Sequence, residues 1–408
     1  MTVEELFVVN HSAYNMVSQI KLHVYLGASP EQEKGSSELA MDCCGVNQPL
    51  VRKDEIIKAL SEEAALHVDI VKVPPPKTNK LDLARYVHDG GFIDFLESVW
   101  DRWAAHPNRD PDFFAEGRGT VDTNEPPAMV PGNGAQRDAS ARPGQSVTSQ
   151  CSYYVTDRCA PIFSTLLPAL AADAAVVRAV LDAFPKEKDS NYASYALTTH
   201  PGHHAAKSSA SGYCYVNSAA VIADALRRER SWVQKVAVID IDYHAGNGTI
   251  GIFWDVPEVF VCSIHADPDI EYPYNSGFAD QVGGTGNPAA VGTTLCLPLG
   301  PGATWTNEPC DDYVNYRSAL LKAIAAVRQH GADALVVSLG VDTLVRDPVA
   351  VPGAGFCLEL DHYTHIGSTL RECGLPAVFV QEGGYDMSRL GCAVTNTLRG
   401  FCVGQIDK

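Results

Sequence analysis

Val236-Ala237-Val238-Ile239-Asp240-Ile241-Asp242-Tyr243-His244 is an apolar, β-branched run that closes on two carboxylates and an imidazole. Three other segments repeat the pattern. Tyr195-Ala196-Leu197-Thr198-Thr199 leads to His203-His204, and Leu335-Val336-Val337-Ser338-Leu339-Gly340 leads to Asp342. Ala377-Val378-Phe379-Val380 leads through Gln381-Glu382-Gly383-Gly384 to Tyr385. In an open parallel sheet the carboxyl ends of the strands lie along one edge, and ligands bind there. Strand ends that carry titratable groups so regularly predict both a parallel sheet and a reactive site on its edge.

Helical patterns separate these strands, at Val216 to Arg230, Asp311 to His330 and Asp361 to Cys373. Such β-α alternation predicts an α/β fold with a doubly wound, mainly parallel sheet and helices on both faces. Upstream the signals are weaker. Phe7-Val8-Val9 reads as a first strand, and Ile56 to Leu66 and Phe92 to Trp103 read as helices. Residues 104–150 are rich in Pro, Gly, Asn and Asp. So long a stretch without periodicity is unusual inside a compact domain. It reads as an insertion near the active-site mouth or a partner subunit, within a single domain over residues 1–408.

Apolar residues make up 46% of the 408 and charged residues 20%, an ordinary globular mixture. The formal charge of −18 argues against a nucleic-acid binder, which needs a basic face, and suits a cationic substrate. None of the 12 cysteines forms a Cys-x-x-Cys pair, so they read as reduced thiols, many of them buried. The first residues lack a basic segment followed by an apolar one, and no signal peptide is expected. Phe163 to Phe184 is apolar but broken by Pro168, Asp173 and Arg178, so it reads as a buried helix and no membrane span is expected. The expectation is a soluble protein of the cytoplasm.

Residues i, i+2 and i+4 of a strand share a face, so continued strand geometry would align Asp240, Asp242 and His244. Carboxylate and imidazole together suit Zn²⁺ and related divalent cations. Asp342, from another strand end, completes a three-ligand set, which leaves a position open for water. His203 and His204 follow a Pro-Gly turn, and a neutral imidazole can take a proton while an imidazolium can give one to a leaving amine. Asp240 and Asn247 are candidates to orient the two rings. Tyr385, after two glycines, can bring a phenol to an oxyanion.

Other readings of the same residues are weaker. Gly246-Asn247-Gly248-Thr249-Ile250-Gly251 fits the dinucleotide fingerprint, but that reading leaves the His pair and Asp342 without a role. A dimanganese ureohydrolase needs carboxylates where Gly246 and Gly340 stand, so one cation is expected, not two. A non-catalytic binding scaffold is disfavoured because every proposed ligand is present.

Four ordered motifs carry a resemblance: Pro201-Gly202-His203-His204-Ala205, Asp240 to Thr249, Ser338 to Thr343 with Asp347-Pro348, and Glu382-Gly383-Gly384-Tyr385. Together they resemble the zinc-dependent histone deacetylase superfamily. Val87-His88-Asp89, Phe95-Leu96-Glu97, Trp100-Asp101-Arg102-Trp103 and His265-Ala266-Asp267-Pro268 are most similar to its acetylpolyamine amidohydrolases. The resemblance implies an arginase-deacetylase fold with an eight-stranded sheet. It implies removal of acetyl groups from acetylated polyamines or similar amines, with protein lysine deacetylation as the alternative. It implies zinc on Asp242, His244 and Asp342, and His204 as general base and acid with His203 as electrostatic helper. It implies Asp240 and Asn247 as their orienting partners and Tyr385 on the oxyanion. Gly212, Tyr213 and Tyr272 match tunnel positions. Structural potassium is implied at Asp240, Asp242, His244, Ser263 and Ile264, and at Phe253, Val256 and Val259. A homodimer is also implied. The chain departs from the common family pattern at Thr199-His200, at Ala245, and in having Tyr rather than Phe at 213 and 272.

Overall fold

The structure, a computed structural model, describes residues 20–27, 49–105, 141–156, 165–305 and 315–404. Phe7-Val8-Val9 and most of the 104–150 stretch lie outside the described residues. In chain order the elements are β1 (Leu22–Gly27), α1 (Pro49–Glu62), β2 (Val68–Val73), α2 (Gly90–Ala104), α3 (Val147–Tyr154) and α4 (Leu166–Ala183). There follow β3 (Ala193–Leu197), α5 (Ser218–Glu229), β4 (Val236–Asp240), α6 (Asn247–Phe253), β5 (Val259–Ala266) and β6 (Thr294–Leu299). The chain continues with α7 (Tyr316–His330), β7 (Ala334–Leu339), α8 (Leu360–Arg371), β8 (Ala377–Gln381) and α9 (Leu390–Val403).

The strands form one eight-stranded sheet in the order β2-β1-β3-β8-β7-β4-β5-β6. Every pairing within it is parallel. The fold is thus α/β, and the sheet is wholly parallel. A sheet covered on both faces needs strands that are apolar at every position. The central strands β3, β4, β7 and β8 are buried along their whole length. Their side chains alternate between two cores. Tyr195, Ile239, Val337 and Phe379 join the layer with α7, α8 and α9, while Ala196, Val238, Val336 and Val378 join the layer with α4 and α5. A third cluster packs α2 and α3 through Phe92, Phe95 and Tyr154.

Several elements differ from the sequence expectation. β1, β2 and β6 were not anticipated; they lie toward the sheet margins, are shorter in apolar character, and β2 is mostly half-buried. The helix read from Ile56 begins at Pro49, a residue suited to a first helical turn, and ends at Glu62. The 104–150 stretch is not wholly irregular. Helix α3 starts within it, with the Ser146 side chain accepting from Ser149 N.

Candidate active site

The four site-bearing strands are contiguous: β3, β8, β7 and β4 lie side by side at the centre of the sheet. Asp240 pairs with Ser338 and Ser338 with Val380, so the strands end nearly level. The loops beyond them therefore meet over a single spot.

The continued-strand reading of Asp240, Asp242 and His244 does not hold. β4 ends at Asp240, and the next residues turn. The carboxylate of Asp240 drives that turn, accepting from Asp242 N at 3.1 Å while its other oxygen meets His203. Asp240 is consequently separate from the cluster that Asp242, His244 and Asp342 form, whose ligand atoms lie within 4.8 Å of one another. All three are buried.

This cluster fits a cation. Two buried carboxylates face each other across His244 Nδ1, which is 3.3 Å from each. Burial alone would lower the His244 pKa, yet the carboxylates push it up to about 9. Burial and the charge of Asp242 raise Asp342 to about 6. The pocket thus calls for positive charge. Asp342 Oδ2 is buried and has no hydrogen-bond donor, an atom left open for a ligand. Gly383 makes the close approach feasible: a Cβ there would lie 2.4 Å from Asp342 Oδ2 and 2.5 Å from Asp242 Oδ2. Its N–H instead donates to Asp242 Oδ2 at 2.8 Å.

The two histidines lie beside this cluster, with ring centroids 3.9 Å apart. Gly202 N and His203 N both donate to Glu382 Oε2, at 2.6 and 3.1 Å, which ties their loop to the end of β8. His203 Nδ1 is 2.9 Å from Asp240 Oδ2. Burial opposes charge on His203, but Asp242 and Asp240 together raise its pKa well above the usual value. His204 Nδ1 donates to Asn247 Oδ1 at 2.7 Å, which leaves Nε2 as the lone-pair nitrogen. Burial, then the charges of His203 and His244, lower the His204 pKa well below normal. The charges around them thus push the two rings in opposite directions, His203 toward the cationic form and His204 toward the neutral one.

Tyr385 closes the opposite side. Its N–H donates to Asp347 Oδ2 at 2.8 Å, and Asp347 also accepts from Asp386 N and Val349 N. Arg52 of α1, itself buried, donates from Nε to Gly384 O at 2.9 Å and from Nη2 to Glu382 O. Its guanidinium stands 5.0 Å from the Tyr385 ring centroid. Burial raises the phenol pKa well above 10, so Tyr385 keeps its proton.

Between these groups lies a cavity of about 20 Å³, with Pro201, Gly212, Tyr213, Tyr272 and Val349 in its wall. Gly212 has φ +51°, and a Cβ there would fall 2.4 Å from the His204 ring. Tyr272 packs edge-on to His204 and hydrogen-bonds Ser211 Oγ through its hydroxyl. Ser263 pairs with Asp240 across β4 and β5, and Ile264 follows it. Phe253, Val256 and Val259 form the turn from α6 into β5, chained by backbone bonds, and do not line the cavity.

Sequence reasoning missed Arg52, which reaches the Tyr385 loop across more than three hundred residues with no local pattern to announce it. It quoted Glu382 and Asp347 within motifs without giving either a role. It named Asp173 only as an interruption, yet that carboxylate accepts from Thr199 N at 2.6 Å and His200 N at 3.2 Å.

A family model for the histone deacetylase domain matches residues 48–401. Acetylpolyamine amidohydrolase 2 of Pseudomonas aeruginosa is 33% identical over 334 residues, covering 82% of this chain and 86% of its own. The acetylpolyamine amidohydrolase of Mycoplana ramosa is 32% identical over 329 residues, with 80% and 85% covered. A crystal structure of acetylpolyamine aminohydrolase from Burkholderia pseudomallei superposes with a TM-score of 0.73 at 26% identity. That alignment covers 94% of this chain and 99% of the other.

Proposed function

The chain belongs to the histone deacetylase family and is a deacetylase of the hydrolase class, and from that premise we propose that it removes acetyl groups from small cationic amines such as acetylated polyamines. One observation carries the reading. A three-donor cation cluster, a neutral imidazole with a free Nε2 and a protonated phenol surround one cavity.

Asp242, His244 and Asp342 would hold a divalent cation, zinc by the resemblance. When bound, such an ion supplies Lewis acidity toward the acetyl carbonyl and makes water more acidic. In this reading His204 Nε2 takes the proton of the attacking water and returns it to the amine nitrogen as the C–N bond breaks. Acetate and free amine leave. Asn247 keeps His204 in the tautomer this requires. His203, paired with Asp240, sets a fixed positive charge next to the developing negative one. The Tyr385 hydroxyl donates to the carbonyl oxygen as it becomes an oxyanion. Tyr213 and Tyr272 flank the acyl-amine chain, with Gly212 leaving room against His204.

The reading extends to structural potassium at Asp240, Asp242, His244, Ser263 and Ile264, and at Phe253, Val256 and Val259. Sedimentation and potassium-dependent melting test this together with the homodimer; a cytoplasmic location rests on the cysteines read as reduced thiols. No described helix is long and apolar enough to cross a membrane.

One feature favours acetyl-lysine proteins instead. Ile270, Tyr274 and Val351 are exposed apolar groups next to cavity residues, and Val351 N donates to Glu271. Steady-state turnover of acetylputrescine, acetylspermidine and an acetyl-lysine peptide by zinc-loaded protein separates the two. Preference for the acetylated polyamines is expected. Preference for the peptide would transfer the chain to the alternative, and turnover of none would refute both.

A further inference from the structure

Glu271 takes no part in the proposed chemistry, yet it joins three of the loops that carry it. The residue follows β5 and is 1% exposed. Its Oε2 accepts from Val351 N at 2.9 Å and from the Tyr243 hydroxyl at 3.2 Å, and its Oε1 accepts from Tyr272 N at 3.2 Å. Each donor belongs to a segment of the site. Tyr272 stands in the cavity wall, edge-on to His204 with ring centroids 4.8 Å apart. Val351 lies two residues past Val349, which is also in the wall. Tyr243 precedes His244 of the cation cluster, and its N–H donates to Asp342 Oδ1 at 2.9 Å.

Val349 is thereby pinned from both sides. Its own N–H donates to Asp347 Oδ1 at 3.0 Å, and Asp347 also holds Tyr385 N. Two residues on, Glu271 holds Val351 N. Bonds thus run from Tyr385 through Asp347, residues 349–351 and Glu271 to Tyr272, along the edge of the cavity. A buried carboxylate is a costly way to fill space, since an aliphatic side chain needs no donors. What Glu271 adds is a fixed spacing between irregular segments that cannot bond one another as strands do.

We infer that Glu271 is a positioning residue that sets the separation of Tyr272 and Val349, and thereby restricts turnover to acetamides of unbranched amines. The inference rests on the proposed function and narrows it. The cavity is about 20 Å³, little more than one water molecule requires. One extra methylene in an apolar pocket changes discrimination about 10- to 200-fold. A methyl branch on the carbon that bears the acetamide nitrogen should therefore lower wild-type kcat/KM by about 10-fold or more relative to acetylputrescine. Glu271→Ala frees residues 349–351 from Tyr272 and should remove about tenfold of that discrimination. Glu271→Gln should keep it, because the amide oxygen still accepts from Val351 N.

The test compares acetylputrescine with its branched analogue on zinc-loaded wild type, Glu271→Ala and Glu271→Gln, with unfolding midpoints measured alongside. Where Glu271→Ala does not fold, Glu271→Met, which fills the space without an acceptor, takes its place. The expected result is a lower straight-to-branched ratio of kcat/KM in Glu271→Ala and a wild-type ratio in Glu271→Gln. A merely structural residue would lower kcat/KM for both substrates by one factor and leave the ratio unmoved. That outcome, or Glu271→Gln behaving as Glu271→Ala does, would overturn the inference. Dissociation constants of the two amides, measured by calorimetry, give the same ratio without turnover. Absence of deacetylation beside a binding ratio that falls in Glu271→Ala would strike the proposed function and leave the role of Glu271 standing. A binding ratio indifferent to Glu271 would strike that role.

Discussion

Tyr385→Phe removes one oxygen and leaves the surroundings of the ring in place. The loop is held through main-chain groups: Tyr385 N on Asp347, and Gly384 O and Glu382 O on Arg52. Phenylalanine retains all of these. The ring also keeps its contacts with the Arg52 guanidinium at 5.0 Å and the Tyr213 ring at 6.2 Å. Stability should change by about 1 kcal/mol or less. Metal binding should be unchanged, because the proposed donors are Asp242, His244 and Asp342. What disappears, under the proposed function, is a donor for charge that exists only in the transition state. Losing one such donor costs about 10²–10³ in kcat, or roughly 2.7–4 kcal/mol. An interaction made only in the transition state lowers kcat and kcat/KM together and leaves KM nearly constant. The assay is steady-state deacetylation of acetylputrescine, with bound metal and unfolding midpoint measured on the same preparation. Turnover close to wild type would refute the role given to the phenol. An equal loss accompanied by loss of metal would show that the loop, not the hydroxyl, had been disturbed.

Other substitutions probe the frame around that site. Arg52→Met deprives two buried carbonyls of a charged donor, and should cost about 1.5–3 kcal/mol in urea unfolding and reduce kcat as the Tyr385 loop loosens. Gly383→Ala puts a methyl group 2.4–2.5 Å from two carboxylate oxygens, so equilibrium dialysis should show divalent-cation binding greatly weakened or lost. His88 gives a pH prediction. Its Nδ1 donates to Ala206 O and its Nε2 accepts from Asn217 N, and burial lowers its pKa to about 4. A folded pKa below the unfolded value of 6.5 means that the stability it confers is complete above about pH 6.5 and is lost as pH falls toward 4. Between pH 7 and pH 5 the linkage amounts to about 2 kcal/mol, read as the difference in pH slope between wild type and His88→Gln; parallel slopes would refute it.

How much of this was legible in the sequence depends on where each residue lies along the chain. A central strand buried on both faces must be apolar throughout, so β4 and β7 could be read directly from Val236–Ile239 and Leu335–Leu339. Strand ends are turns, where polar residues stand out against the run before them. That contrast exposed Asp242, His244, Asp342 and the histidine pair. The marginal strands β1, β2 and β6 lacked it, since partial exposure permits the mixed pattern of Val68–Val73.

The residues that support the site were hidden for a different reason. Arg52 and Asp173 lie inside helices α1 and α4, where one polar residue in an amphipathic pattern ordinarily faces solvent. Here both are buried, and each satisfies backbone groups of a site loop: Arg52 the carbonyls of Glu382 and Gly384, Asp173 the N–H groups of Thr199 and His200. A loop that must present side chains at a fixed spacing cannot bond its own backbone as a helix or strand does, so distant side chains do it. Such a partner carries no local signature, because its spacing is set by tertiary packing and not by the period of its own helix. The departure at Thr199-His200 shows the consequence. Its significance lies in the carboxylate of Asp173, which lies 3.4 Å from His200 Nδ1 and is twenty-seven positions away in the chain. A catalytic group is therefore legible from its own neighbourhood, while the group that holds it in place becomes legible only once the sheet has brought the two together.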